Sequence, residues 1–247
     1  MELPISALYR AAIVVGGNTM KTGFDERVKW FEVAEDTGMP QGHDHNGART
    51  HGYDGLTPAK GHAIPLAYFD GQLAIRRFES EDVSSLFEGI EESINELSEW
   101  MVWCHPDYSR KDAATFVSSS RDRWKKGEAY SFGIYEVKSG ELLGSVGLNC
   151  LNRTHNFANL GYWVRSSRTR QGIGARAARL AAQFGFRALQ LNRLEFLIPL
   201  TNHPSQRVAE HVGARAEGIL RNRLILNNRS HNAVLYSLLE KDLPLLS

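Results

Sequence analysis

The sequence has 247 residues, of which 42% are hydrophobic and 23% are charged. These proportions are ordinary for a globular domain and exclude collagen-like, coiled-coil and wholly disordered chains. No apolar run approaches the roughly 18–20 residues that span a bilayer, so we expect no association with a membrane. The formal net charge of +1 gives no general reason to expect nucleic acid as a partner. Two cysteines exclude a disulfide framework and favour a reducing, cytoplasmic setting.

The chain divides near residue 70. Residues 1–70 are rich in glycine and histidine and lack a sustained hydrophobic period, which predicts a largely irregular extension. His43, His45 and His51 are candidate metal ligands, but a glycine-rich segment offers no rigid frame to hold an ion. We therefore expect an extension over 1–70, a folded domain over 71–247, and no bound metal.

From residue 72 the hydrophobic pattern becomes regular. In chain order the predicted elements are a strand at 73–78, helices at 81–90, 94–103 and 109–126, strands at 130–137, 142–149 and 158–165, a helix at 172–188, a strand at 194–200, a helix at 204–212, and strands at 218–226 and 233–239. This order predicts a mixed α/β domain.

The most informative segment runs from the strand at 158–165 into the helix at 172–188. A polar loop joins them, and Gly172 and Gly174 open the helix. Glycines let a ligand approach the backbone closely, and the free N–H groups of the first helical turn favour an anion. Seven arginines and no acidic residue lie between Arg165 and Arg193. The segment predicts a phosphate site, although a surface helix with solvated arginines is the alternative.

Two phosphate-containing cofactors compete for this loop. The run Gly172-Ile173-Gly174-Ala175-Arg176-Ala177 fits the relaxed dinucleotide fingerprint G-x-G-x-x-A. However, Gly172 lies seven residues past Arg165, whereas that fingerprint needs a tight turn straight after the strand. The other cofactor is coenzyme A, and a resemblance to a known family favours it.

The segment 161–188 resembles the acetyl-CoA-binding motif of the GNAT N-acetyltransferase superfamily, Gln/Arg-x-x-Gly-x-Gly/Ala. Gly172 and Gly174 fill its last two fixed positions, and Thr169 departs from the first. The runs 161–164 and 144–148, and Asn202 with Ser205 and the helix after it, are similar to the branch that acetylates ribosomal-protein N-termini. The resemblance covers 72–243. It implies a mostly antiparallel sheet of six to seven strands, flanked by helices and splayed between the fourth strand (158–165) and the fifth (194–200).

The resemblance also implies which residues act. The residues expected to bind acetyl-CoA are Trp163, Val164, Arg165, Arg170, Gln171, Gly172, Ile173, Gly174, Ala175 and Asn202. Ser205 is the candidate for protonating the departing thiolate, with simple helix capping as its alternative role. The tyrosine that many members carry in this helix is absent from 206–212.

The base that deprotonates the amine is less constrained. Asn159 stands where relatives often carry a glutamate, and the strand at 219–226 has no acid. His231 is the candidate base because its unperturbed pKa suits the task, with His155, Glu141 and a water chain as alternatives.

The resemblance therefore predicts an acetyl-CoA-dependent N-acetyltransferase in which an amine attacks the thioester directly. The expected acceptor is the α-amine of a protein or peptide N-terminus. The alternatives are a small-molecule amine as the acceptor, or a non-catalytic acyl-CoA-binding module. Trp100 and Trp103 lie in the segment that lines the acceptor cleft in relatives. No feature of the sequence indicates an oligomeric state.

Overall fold

The computed structural model describes residues 67–243 and places eight strands and five α-helices in that range. The strands are β1 Ala67–Phe69, β2 Leu73–Arg77, β3 Tyr130–Glu136, β4 Leu142–Asn152, β5 Phe157–Val164, β6 Arg193–Pro199, β7 Arg215–Leu226 and β8 Arg229–Leu238. The helices are α1 Val83–Glu92, α2 Ile94–Trp100, α3 Arg110–Lys125, α4 Ile173–Arg187 and α5 His203–Val212. From β2 onward, the predicted order of elements is confirmed.

The first strand lies inside the segment predicted to be an irregular extension. β1 pairs antiparallel with β2, with Tyr68 opposite Ile75. The Tyr68 ring also packs edge-on against Phe184 of α4, with 5.9 Å between the ring centroids. The sheet is therefore already formed at Ala67, ahead of the predicted boundary at residue 71. The histidines of the candidate metal site lie outside the described residues, as do residues 244–247.

All eight strands belong to one sheet, in the order β1-β2-β3-β4-β5-β6-β8-β7. Every neighbouring pair is antiparallel except β5 and β6, which are parallel because α4 crosses over between them. The predicted mixed α/β architecture with a mostly antiparallel sheet is confirmed. The sheet has eight strands instead of six to seven because β1, which was not predicted, adds a strand at its edge.

The sheet opens between β5 and β6. These strands pair only from Phe157 with Arg193 to Asn159 with Glu195. Beyond this point β5 stays bound to β4 as far as Val164, while β6 stays bound to β8 as far as Pro199. The splay predicted between the strands at 158–165 and 194–200 is therefore confirmed, and we call its closed end, at Asn159 and Glu195, the apex.

Two hydrophobic clusters cover the two faces of the sheet. The larger one lies under α4 and α5, where Phe132, Phe184 and Phe196 are almost completely buried. The smaller one packs Phe78, Leu86 and Trp163 between α1, α3 and the opposite face. Since successive side chains of a strand point to opposite faces, the even-numbered residues of β5 and β6 face α4 and the odd-numbered ones face away from it. Within residues 67–243, no helix is long and apolar enough to cross a membrane.

Local sequence signals explain where several elements begin and end. Ser109 caps α3 by exchanging hydrogen bonds with Asp112, as in a capping box. Gly213 ends α5 in the left-handed conformation, at φ 99°. Asn227 and Asn228 are both left-handed and form a two-residue turn between β7 and β8. The connection is shorter than the gap between the strands predicted at 218–226 and 233–239, because asparagine tolerates this conformation.

Candidate active site

The edge of β5 that faces the opening carries free peptide groups. The N–H of Arg165 donates to the Leu143 carbonyl oxygen at 2.8 Å, so this residue is bonded to β4. Because alternate residues of a strand direct their peptide groups to opposite sides, Trp163 and Gly161 also bond to β4. Tyr162 and Val164 direct their N–H and C=O groups into the opening, where β6 has moved away. An extended chain can pair with this edge.

The N-terminus of α4 adjoins the same edge. Arg170 and Gly172 are both left-handed, at φ 60° and 74°, which turns the chain sharply into the helix. The N–H groups of the first helical turn, at 173–175, have no acceptor within the helix. A Cβ added to Gly174 would lie 3.1 Å from Cε2 of Tyr162, so a larger residue would require the Tyr162 ring to shift by a few tenths of an ångström. The loop is suited to a phosphate group.

Most of the arginines that the sequence placed around this loop are ion-paired. Arg165 contacts Glu92 at 2.9 Å, and Arg168 contacts Glu141. Arg176 pairs with Asp70 at 2.6 Å and Arg193 with Glu217 at 2.6 Å. The lack of acidic residues between Arg165 and Arg193 therefore does not leave these four arginines uncompensated, because their acidic partners lie outside that stretch.

Arg170 differs from the other arginines. It is exposed and has no ion-pair or hydrogen-bond partner among residues 67–243. The loop thus keeps one uncommitted cation beside the free N–H groups. Glu141, an alternative base candidate, forms ion pairs with both Arg165 and Arg168, so its carboxylate has a structural role.

Ser205 lies in the first turn of α5, against the phenol of Tyr162. The two hydroxyl oxygens are 3.0 Å apart. Burial raises the pKa of Tyr162 to about 12, so its phenol stays protonated at neutral pH. Asn202 caps α5, because its Oδ1 accepts a hydrogen bond from the Ser205 N–H at 3.2 Å. The arrangement places two hydroxyl donors beside the free edge of β5.

Other predicted site residues lie elsewhere. The Trp163 side chain is 7% exposed and buried in the smaller cluster, so it points away from the opening between β5 and β6. Ile173 and Ala175 are buried and can reach a ligand only through their N–H groups. His231 lies on β8 opposite Leu224, two residues beyond Ala233, which pairs with the end of β6. Within residues 67–243, no hydrogen bond joins His231 to Ser205 or holds the His231 ring.

A groove of about 530 Å³ lies between α2, the segment after it, and the tip of the β7–β8 hairpin. Val102 and Ile225 on its walls are 79% and 56% exposed. Asn227 at the hairpin tip donates to the Ser98 carbonyl oxygen at 3.4 Å, which joins the hairpin to α2. Trp103 is exposed nearby and packs edge-on against Tyr108.

Within residues 67–243, no group of three or more potential metal ligands occurs.

Two residues of this region were missed by sequence reasoning. Tyr162 was treated only as part of a motif, although its alternation with the buried Trp163 places it on the opposite face. Glu195 was not predicted as a site residue. Its signal was an acidic residue in a mostly apolar strand, at a position that faces away from the larger hydrophobic cluster.

Comparison with known proteins now identifies the class. A family model described as an acetyltransferase (GNAT) domain matches residues 72–215, which is more than half of the chain. The chain belongs to this family; it is an N-acetyltransferase, and acetyl-CoA is its acyl donor. The dinucleotide-binding alternative is wrong, because β6 is followed by antiparallel strands and not by further parallel ones.

Individual relatives are similar at modest identity. YdaF of Bacillus subtilis, provisionally named a ribosomal N-acetyltransferase, is 29% identical over 172 residues, which cover 69% of this chain and 92% of that protein. The spermidine N(1)-acetyltransferase of Escherichia coli K12 is 28% identical over 95 residues, covering 38% of this chain and 51% of that protein. Mycobacterium smegmatis RimJ, solved with CoA-disulfide, is 26% identical with a TM-score of 0.63, covering 70% of this chain and 84% of that chain.

Proposed function

We propose that this N-acetyltransferase transfers the acetyl group to the α-amine of a protein or peptide N-terminus in the cytoplasm. The observation that carries the proposal is the groove between α2 and the β7–β8 hairpin. Its exposed apolar walls, Val102 and Ile225, are suited to the side chains of a polypeptide. The names of the ribosomal N-acetyltransferase relatives support the same acceptor class.

The geometry of the opening supports the following roles for the residues that would hold acetyl-CoA. The peptide groups of Tyr162 and Val164 would pair with the pantetheine arm, whose amides need such partners. The N–H groups at 173–175, together with Arg170 and Gln171, would bind the pyrophosphate. Arg165 would act indirectly by fixing the loop through Glu92, which also accepts the Ser167 N–H at 3.0 Å. Acetyl-CoA supplies an activated thioester, and the chain supplies orientation and proton transfer.

The acceptor class can be tested with one peptide in two forms. One form has a free α-amine and acetylated lysines, and the other has an acetylated α-amine and a free lysine; spermidine is the third acceptor. We expect CoA release with the free α-amine to exceed that with the other two by about 10-fold or more in kcat/KM. Clear preference for spermidine would assign the enzyme to small amines instead, and preference for the lysine form would also contradict the proposal.

A substitution in the groove tests where the peptide binds. Val102→Glu should raise KM for the peptide severalfold and leave KM for acetyl-CoA unchanged, because a charge replaces an apolar wall. Phe69→Glu is the matched control, since Phe69 is 46% exposed on β1, at the opposite edge of the sheet from β7. Equal effects of the two substitutions would exclude the groove as the acceptor site.

A further inference from the structure

A row of polar side chains crosses the sheet at the apex of the opening. Asn149 of β4 pairs with Asn159 of β5, which pairs with Glu195 of β6, which in turn pairs with Ser237 of β8. Residues paired across strands share a face, and this face is the one opposite to α4. The Asn159 side-chain amide donates to Oδ1 of Asn149 at 3.1 Å. The row therefore lies where the two halves of the sheet separate.

Glu195 is the acidic member of this row, and an arginine holds it in place. The Nε of Arg193 donates to one oxygen of Glu195 at 2.8 Å. The two terminal nitrogens of Arg193 bind Glu217 at 2.7 and 2.6 Å. One cation thus serves two carboxylates, which leaves the group with an excess negative charge. The second oxygen of Glu195 has no hydrogen-bond partner among residues 67–243, and the side chain is 23% exposed.

Open space adjoins the row on β5. A Cβ added to Gly161 would have within 4 Å only the side-chain nitrogens of Asn159 and Asn149, at 3.9 and 4.0 Å. Gly161 pairs with Gly147 of β4, where an added Cβ would lie 2.8 Å from the Tyr130 carbonyl oxygen, so the open space belongs to Gly161 alone. A reacting group can therefore approach the backbone of β5 one step above the apex, beside Asn159 and Glu195.

We propose that Glu195 accepts the proton of the acceptor ammonium, directly or through one water molecule. The amine nitrogen then forms a bond to the acetyl carbon while the carbon–sulfur bond breaks. Of the two protons that nitrogen loses, one goes to the Glu195 carboxylate and the other leaves with the thiolate as the thiol. The carboxylate oxygen of Glu195 that Arg193 does not bind also attracts a cationic amine to this place.

His231, the base expected from the sequence, does not lie at the apex. It is six residues along β8 from Ser237, which corresponds to roughly 20 Å in an extended strand. The proposal rests on the N-acetyltransferase activity, and the choice of an α-amine peptide as the acceptor rests on the proposed function. The charged groups that face Glu195 are Arg193 on β6, Glu217 on β7 and Arg215 on β7, which pairs with Asp242.

The test is Glu195→Gln in the full chain, with the α-amine peptide as the acceptor. At pH 7 we expect kcat/KM for the peptide to fall about 100-fold or more, as for other positioned bases. Calorimetry should show unchanged affinity for CoA. The deficit should shrink as the pH rises through the α-amine pKa of about 7.7–8.0, because solvent then supplies the neutral amine.

Matched variants separate proton transfer from structure. Glu217→Gln removes a carboxylate from the same arginine but not from the apex, so its kcat/KM should fall less than about 5-fold if acid–base catalysis is specific to Glu195. Glu195→Asp keeps a carboxylate and should lose less activity than Glu195→Gln. This second variant allows the test to be made even if Glu195→Gln folds poorly.

Three results would overturn the proposal: near-native activity of Glu195→Gln, an equal loss in Glu217→Gln, or a deficit that does not change with pH. An unmodified protein that binds CoA but acetylates no peptide would instead contradict the proposed acceptor.

Discussion

Ser205→Ala and Tyr162→Phe are each expected to lower kcat about 10- to 100-fold while KM for acetyl-CoA stays nearly constant. The hydroxyls that these substitutions remove are 3.0 Å apart at the free edge of β5. A donor that is needed only as the thiolate departs stabilises the transition state and not the bound substrate, so its loss appears in kcat. This loss of kcat is at the low end of the range for general acid catalysis, because a thiolate is a good leaving group even without a proton donor.

The double variant distinguishes a coupled pair from two independent groups. If Tyr162 orients the Ser205 hydroxyl, removing both should cost little more than removing one. Tyr236→Phe is the matched control, since its phenol donates to Glu210 at 3.1 Å and its ring packs under the same helices. We expect that control to keep kcat within about twofold. Normal kcat in both single variants would restrict Ser205 to its place in the capped first turn of α5.

Arg165→Met is expected to lower the free energy of unfolding by about 2 kcal/mol, between the values for exposed and buried ion pairs. The Arg165 side chain is 15% exposed and contacts both Glu92 of α1 and Glu141 of the β3–β4 hairpin. Its loss leaves two partly buried carboxylates without their shared cation. Urea denaturation followed by tryptophan fluorescence measures the change.

A second arginine provides the comparison for Arg165. Arg121 pairs with Glu79 at 3.3 Å, and its side chain is 34% exposed. Arg121→Met should therefore change the free energy of unfolding by less than about 1 kcal/mol. A large loss of CoA affinity in Arg165→Met without a loss of stability would support the direct role in binding acetyl-CoA that the resemblance implied for Arg165.

The sequence predicted the elements well where local chemistry determines them. The two helices flanking β6 begin at a glycine turn and at an asparagine cap, and both signals are visible in the sequence. The nearly apolar run of β6 predicted a buried strand, which the sheet confirms. The opening beside β5 came from the resemblance, since no local pattern encodes the distance between two strands.

The site was predicted less completely because its contacts are long-range. The acids that neutralise Arg165 and Arg176 come from α1 and from the β1–β2 turn, so charge counting along the chain overstated the positive potential. Tyr162 meets Ser205 only after β5 and α5 come together, 43 positions apart. Glu195 reaches the apex through strand register, which no spacing in the sequence reveals.

Residue-resolved hydrogen exchange with and without CoA tests most directly whether the ligand lies along the edge of β5. We predict that CoA slows exchange at the amides of Tyr162 and Val164 and at those of Ile173 to Ala175. The amides of Gly161 and Trp163 already donate to β4 and should not change. Unaltered exchange at Tyr162 and Val164 under saturating CoA would contradict the account, because the cofactor would then bind outside the opening between β5 and β6.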